Sequence, residues 1–221
     1  TSLSLVTESD VPEDCNVLII AGPKINLLAG EQAAVRNYLE RGGRALIMVT
    51  PDFLTESADF SSLLASWKVK IGDNIVVDRS AVGRLPGMNE FMPAVMQYPP
   101  HAITRTLGGT VSFFPLVRSI EPAAASHDTL EIQIIAMTGP RSWAESAFPK
   151  TREAAEEMGD YTPEPDSKYD EPGPIPIAVA IIAAPRTLTR QDMTTLTPQE
   201  IALRPEEHEL KTRIVVVGNS T

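Results

Sequence analysis

The chain has one cysteine, few aromatic residues and a shortage of positive charge. With Cys15 alone no internal disulfide can close, and no CxxC or Cys/His cluster offers a zinc site. The 19 Lys and Arg against 29 Asp and Glu leave a formal charge of −10, which repels a phosphate backbone and argues against a nucleic-acid partner. Long hydrophobic runs are missing too. The longest, "IPIAVAIIAAP" from Ile175 to Pro185, is about half of the ~20 residues a membrane-spanning helix needs, and Pro176 interrupts it. It is expected to be a buried strand. The opening "TSLSLVTESD" has neither a basic region nor an apolar core, so no signal peptide is expected there. Neither GxGxxG nor GxxxxGK[ST] occurs, and Pro23 removes an N–H that a phosphate cradle would use. GxSxG is absent as well, so a serine-hydrolase elbow has no support.

What is present is an alternation of apolar runs and amphipathic stretches. Leu3 to Val6 alternates like a strand, and Val17 to Ala21 is a continuous apolar run. In "GEQAAVRNYLERGG" the residues Ala34, Val35, Tyr38 and Leu39 fall at helical spacing, with Gly42 placed to end the helix. Ala45 to Val49 is the next strand, "SADFSSLLASW" a second helix, and Asn74 to Asp78 a third strand. Strand, helix, strand, helix, strand points to α/β architecture: a mostly parallel open sheet with flanking helices, of flavodoxin-like type. Thr129 to Met137, Ile175 to Ala184 and the closing "TRIVVVG" bring the expected total to six or seven strands. A single domain over residues 1–221 is expected, with two interruptions. Residues 79–118 dissolve into Pro and Gly and read as an irregular excursion capping the sheet. Residues 150–174 are polar and Pro-rich; from Thr151 to Glu171 eight acids less two bases give −6, the composition of a mobile acidic loop.

The candidate site lies where strands end. Gly22-Pro23-Lys24 follows one strand and Thr50-Pro51-Asp52 its neighbour, and in open α/β sheets ligands bind beyond the carboxyl ends of strands. The same residues equally serve to stop strands and start loops. "TGPRSWAES" follows another strand, and Arg141, Ser142 and Trp143 there offer a guanidinium, a hydroxyl and an aromatic face suited to recognition; packing of Trp143 on the core is the competing reading. His101 in "PHAIT" is expected in a turn near the excursion, and His101, His127 and His208 are too scattered for a metal set. Cys15 sits ahead of its strand beside Glu13 and Asp14, which disfavour a thiolate, so it reads as structural. Asp160, Glu164, Asp166, Asp170 and Glu171 lack the spacing of a calcium loop and are read as solvated or as facing a basic partner. No metal and no cofactor is expected.

The stretches "VPEDCNVLIIAGPKINLLAGEQAAVRNYLERGGRALIMVTPD", "PHAIT", "SFFPLVRSIEP", "TGPRSWAES", "GPIPIAVAI" and "RIVVVGNS" resemble, in order and over nearly the whole chain, the auxiliary domain of GldG-type gliding-motility ABC transport proteins. The resemblance implies a fold related to class I glutamine amidotransferase-like and intraflagellar-transport-type domains. It also implies a fragment of a longer protein, held outside the cytoplasmic membrane (periplasmic or extracytoplasmic) by anchoring segments. Its expected role is a non-enzymatic binding or interaction domain. The expected partners are ABC transporter permease or ATPase subunits or another membrane partner, with a small-molecule or polymer ligand and homo-oligomers allowed. The alternative is an amidotransferase-like enzyme, possibly hydrolytic, working through Asp52, His101 and Arg141. That alternative requires the three side chains to converge in one pocket.

Overall fold

The computed structural model describes residues 2–52, 57–81, 87–123, 130–158, 161–166, 168–184 and 211–220. Its strands are β1 (Leu18–Ala21), β2 (Arg44–Met48), β3 (Val69–Ile71), β4 (Ile75–Asp78), β5 (Ala94–Val95), β6 (Ser112–Phe113), β7 (Ile120–Pro122), β8 (Leu130–Met137), β9 (Ser142–Glu145), β10 (Glu171–Pro172), β11 (Pro176–Ala183) and β12 (Thr212–Val217). The helices are α1 (Ala29–Glu40), α2 (Ser61–Ser66) and α3 (Arg152–Met158).

The main sheet has five strands in the order β1-β2-β12-β11-β8. Its β1-β2 and β2-β12 pairings are parallel, whereas β12-β11 and β11-β8 are antiparallel. Three further sheets, β10-β9-β4, β3-β7 and β5-β6, are antiparallel throughout. The expected mostly parallel, open, flavodoxin-like or amidotransferase-like sheet with flanking helices is therefore not what forms: strand outweighs helix, 29% to 14%, and the sheets are mixed and antiparallel.

The two faces of the main sheet explain the difference. On one face, Leu18, Ala45, Ile47, Ile214, Val216, Val179 and Ile181 share a core with Val35, Tyr38 and Leu39 of α1 and Leu63 and Leu64 of α2. On the other, Ala178, Ala180, Ile135 and Ala136 pack with Val76 of β4, Ala144 of β9 and Val95 of β5. A strand buried on both faces reads as an unbroken apolar run whichever cover it has. Here the second cover is a small antiparallel sheet and a hairpin rather than helices. That cover reaches β8 and β11 but stops short of β1, where Val17 and Ile19 are 52% and 61% exposed.

Local chemistry sets the elements. In α1 the inward residues are Ala34, Val35, Tyr38 and Leu39, at the spacing of one helical face, and the Glu31 carboxylate accepts the Leu28 N–H at 2.8 Å at its start. Gly42, at φ 95°, turns the chain out of the helix as the sequence suggested. Leu3 to Val6 does not become a strand. Residues 5–7 form a turn in which the Thr7 and Glu8 N–H groups donate to the Ser4 carbonyl, while Leu3 and Leu5 rest against the helical core. In the excursion, β5 and β6 form a hairpin, and Val95 and Val117 enter the second core. Within 150–174 the structure places α3 and β10, and Arg79 holds Glu164 at 3.1 Å.

Candidate functional site

Register places four strand ends on one rim. Ala21 pairs with Met48, Met48 with Val217, Val217 with Ala178, and Ala178 with Ala136. The carboxyl ends of β1, β2, β12 and β8 thus leave the sheet on the same side. Pro23, Lys24, Thr50, Pro51 and Asp52 sit at the first two of these ends, and Arg141 lies in the turn between β8 and β9. The loops that carry Pro23, Lys24, Thr50, Pro51, Asp52 and Arg141 share one edge of the sheet.

Hydrogen bonds knit the β1, β2 and β12 ends together. The ladder runs past the strands, with Gly22 N–H donating to the Met48 carbonyl and Val49 N–H to that of Val217, each at 2.9 Å. The hydroxyls of Thr50 and Ser220 lie 2.5 Å apart. Gly22 sits at φ 49°, and a Cβ there would overlap the Ser220 side chain, so the turn requires glycine. The Asp52 carboxylate accepts both the N–H (2.8 Å) and the hydroxyl (2.5 Å) of Ser57, which fixes the loop after β2.

Sequence reasoning missed the residue at the centre of this rim, Arg118. It is only 9% exposed. Its Nε donates to the Gly72 carbonyl at 2.7 Å and its Nη1 to the Thr50 carbonyl at 3.1 Å. Its own N–H donates to the Gly218 carbonyl at 2.9 Å, and the Asn219 amide donates to the Pro115 carbonyl. Burial pushes the guanidinium pKa down, opposed by the charges of Asp52, Asp73 and Asp59. The only sequence signal for it is position: it is a cation in "SFFPLVRSIEP", flanked by residues that become core.

The other candidates separate. Ser142 and Trp143, expected at an exposed strand end, belong to β9 and are 4% and 6% exposed. The Ser142 hydroxyl lies 2.5 Å from that of Thr138 and donates to the Gly139 carbonyl at 2.8 Å, pinning the turn after β8. Trp143 donates its indole N–H to Glu145 at 3.1 Å, and the Arg79 guanidinium stacks over its ring at 5.4 Å. Arg141 remains exposed. His101 accepts the Ile103 N–H on Nδ1 at 3.1 Å within a turn of the excursion. Among the described residues no hydrogen bond or ion pair links Asp52, His101 and Arg141. His127, His208 and Asp160 lie outside the described residues. Two of the described acids of the 150–174 segment are tied individually: Asp170 accepts from Ser146 N–H and hydroxyl at 3.0 Å, and Glu164 pairs with Arg79. Cys15 is half-buried beside α1, its carbonyl accepting the Tyr38 hydroxyl at 3.2 Å. A shallow hollow of about 410 Å³ lies elsewhere, between Ser61, Lys68, Lys70 and Ala123, and none of the expected site residues lines it.

A family model described as "ABC-type uncharacterized transport system", for an auxiliary component, matches residues 1–221. No curated protein matches the chain. Among solved structures the chain is similar to the mmIFT52 N-terminal domain, with a TM-score of 0.55 at 12% identity over 93% of this chain. The match covers 66% of that domain's length, and at this identity it is a likeness of fold alone.

Proposed function

Because the chain belongs to the family of auxiliary components of ABC-type transport systems, we propose that it is a GldG-type, extracytoplasmic domain that works by binding rather than catalysis, with its strand-end rim as the face that meets the transporter. The observation that carries this reading is how the rim's polar groups are employed. Thr50, Asp52, Ser57, Arg118 and Ser220 are engaged with one another or with backbone carbonyls, an arrangement that holds a surface in shape. Two of the side chains left projecting are cations. Lys24 and Arg141 are both exposed, and among the described residues neither is in an ion pair. They sit at opposite ends of five strands, roughly 20 Å apart at ~4.8 Å per strand. Two cations on an acidic molecule favour an acidic patch on the partner. The permease side of the transporter is the partner in this reading.

Photo-crosslinking in the intact transport system tests it. A crosslinker at Lys24 or Arg141 should capture a permease subunit, while one at Arg44, exposed at the opposite edge of the sheet, should not. Capture from Arg44 alone would overturn the assignment of the face. Loss of a substrate turnover in a folded Asp52→Asn variant would move the protein to the enzyme class.

A further inference from the structure

The outer edge of β1 is a pairing surface, and we infer that the 221-residue chain forms a two-fold symmetric dimer through it, β1 running antiparallel to β1 of a second copy. The hydrogen-bond ladder identifies the free groups. Gly22 N–H donates to Met48 in β2, so by alternation Leu18 and Ile20 also face β2. Ile19 and Ala21 then turn their N–H and C=O groups away from the sheet. Among the described residues nothing pairs with them. The preceding segment goes elsewhere: Tyr38 of α1 and Arg41 just after it bind the carbonyls of Cys15 and Val11, and Arg41 pairs with Asp10 at 3.3 Å.

Three features make this edge a template for pairing rather than a protected one. Its sequence, Leu-Ile-Ile-Ala, carries no charge and no proline, and its register with β2 is regular, without a bulge. Its side chains on the uncovered face are apolar and exposed, with Val17 at 52% and Ile19 at 61%. The charges beyond its two ends are opposite in sign: Glu13 and Asp14 precede it, and Lys24 follows. This last feature selects the occupant and its direction. A two-fold axis through Ile19 sets Ile19 against itself and Val17 against Ala21 of the second copy. It brings the Lys24 end of each copy against the Glu13–Asp14 end of the other. Parallel pairing would instead align like charges. A self-complementary strip of this kind is what an isologous interface needs.

Sedimentation velocity on the purified chain over a wide concentration range tests the inference. The native chain should sediment as a dimer that dissociates on dilution. Ile19→Lys sets two ammonium groups face to face at the axis and should yield monomer, with circular dichroism unchanged because the side chain is exposed. Lys24→Glu should weaken the dimer, and the triple change Lys24→Glu, Glu13→Lys, Asp14→Lys should restore it. Ile103→Lys, at a side chain 51% exposed in the excursion, should leave it intact. Amide exchange at Ile19 and Ala21 should slow as concentration rises. A native chain that stays monomeric at all concentrations, or a dimer indifferent to Ile19→Lys, overturns the inference.

Discussion

At the scale of single residues, Arg118 has the largest structural role for the least sequence signal. Its side chain donates to two backbone carbonyls, that of Thr50 after β2, shared with the Ser57 hydroxyl, and that of Gly72 between β3 and β4, in a region shielded from water. Replacing it by Met keeps much of the volume but removes the donor to the Gly72 carbonyl, and leaves the Thr50 carbonyl with the Ser57 hydroxyl at 3.0 Å. Arg118→Met is expected to cost about 2–3 kcal/mol in urea denaturation, the usual penalty for buried groups left unpaired. A cost within measurement error would show that water takes over the bond to the Gly72 carbonyl. Trp143 teaches the converse. The pair Arg141–Trp143 has the composition of a recognition patch, yet only Arg141 is exposed, because the chain re-enters a sheet immediately after the turn. Nothing in the tetrapeptide Ser-Trp-Ala-Glu announces that all four residues will be buried. Ser142 and Glu145 are tolerable there because Thr138 and the Gly139 carbonyl engage the first, and the Trp143 indole and the Ala147 N–H the second.

At the scale of elements, the acidic segment is fastened through Arg79. This guanidinium pairs with Glu90 at 3.2 Å and Glu164 at 3.1 Å, donates to the Pro163 carbonyl, and stacks on Trp143. Tyr161 stacks against Phe91 at 6.3 Å, its hydroxyl pKa raised by burial and by the nearby charges of Glu145, Asp170 and Glu90. Arg79→Ala should release residues 161–166 and admit water to Trp143, red-shifting its emission and costing about 1–2 kcal/mol, a sum of cation–π and ion-pair losses. An unshifted spectrum would mean that the segment is held without Arg79. Elements of this molecule were legible where one side chain pattern had one structural meaning. The spacing of Ala34, Val35, Tyr38 and Leu39 has no reading but a helix face, and the apolar runs of β1, β2, β4, β8, β11 and β12 fell where strands form. Direction was not legible. Continuous runs such as Ile177 to Ile181 say that both faces are covered, and parallel strands between helices are only one way to cover them. The strand ends did gather on one rim, but which of their side chains would project depended on tertiary partners such as Ser57, Ser220 and Arg118.

At the scale of the whole molecule, two small antiparallel sheets meet where Glu121 of β7 approaches Glu171 of β10. Glu121 is held above the ordinary carboxylate range first by burial and then by the charge and hydrogen bond of Glu171, with Lys70, at 3.8 Å, pulling the other way. The raised pKa means that the folded state keeps a proton the unfolded chain has already lost. Below the ordinary value of 4.5 both states are protonated and Glu121 has no effect on stability. As pH rises through that value the unfolded chain ionises first, so stability falls until the folded carboxyl also ionises, and the loss persists above it. Glu121→Gln removes the ionisation while retaining a side chain that can bond Glu171. It should therefore leave stability at acid pH unchanged and raise it at neutral pH by roughly 0.5–1 kcal/mol, a modest figure because Lys70 and solvent already screen the charge. Urea midpoints at both pH values decide it. A variant destabilised at neutral pH would mean that the Lys70–Glu121 pair outweighs the Glu121–Glu171 repulsion, and that the seam between the sheets is held by charge rather than strained by it.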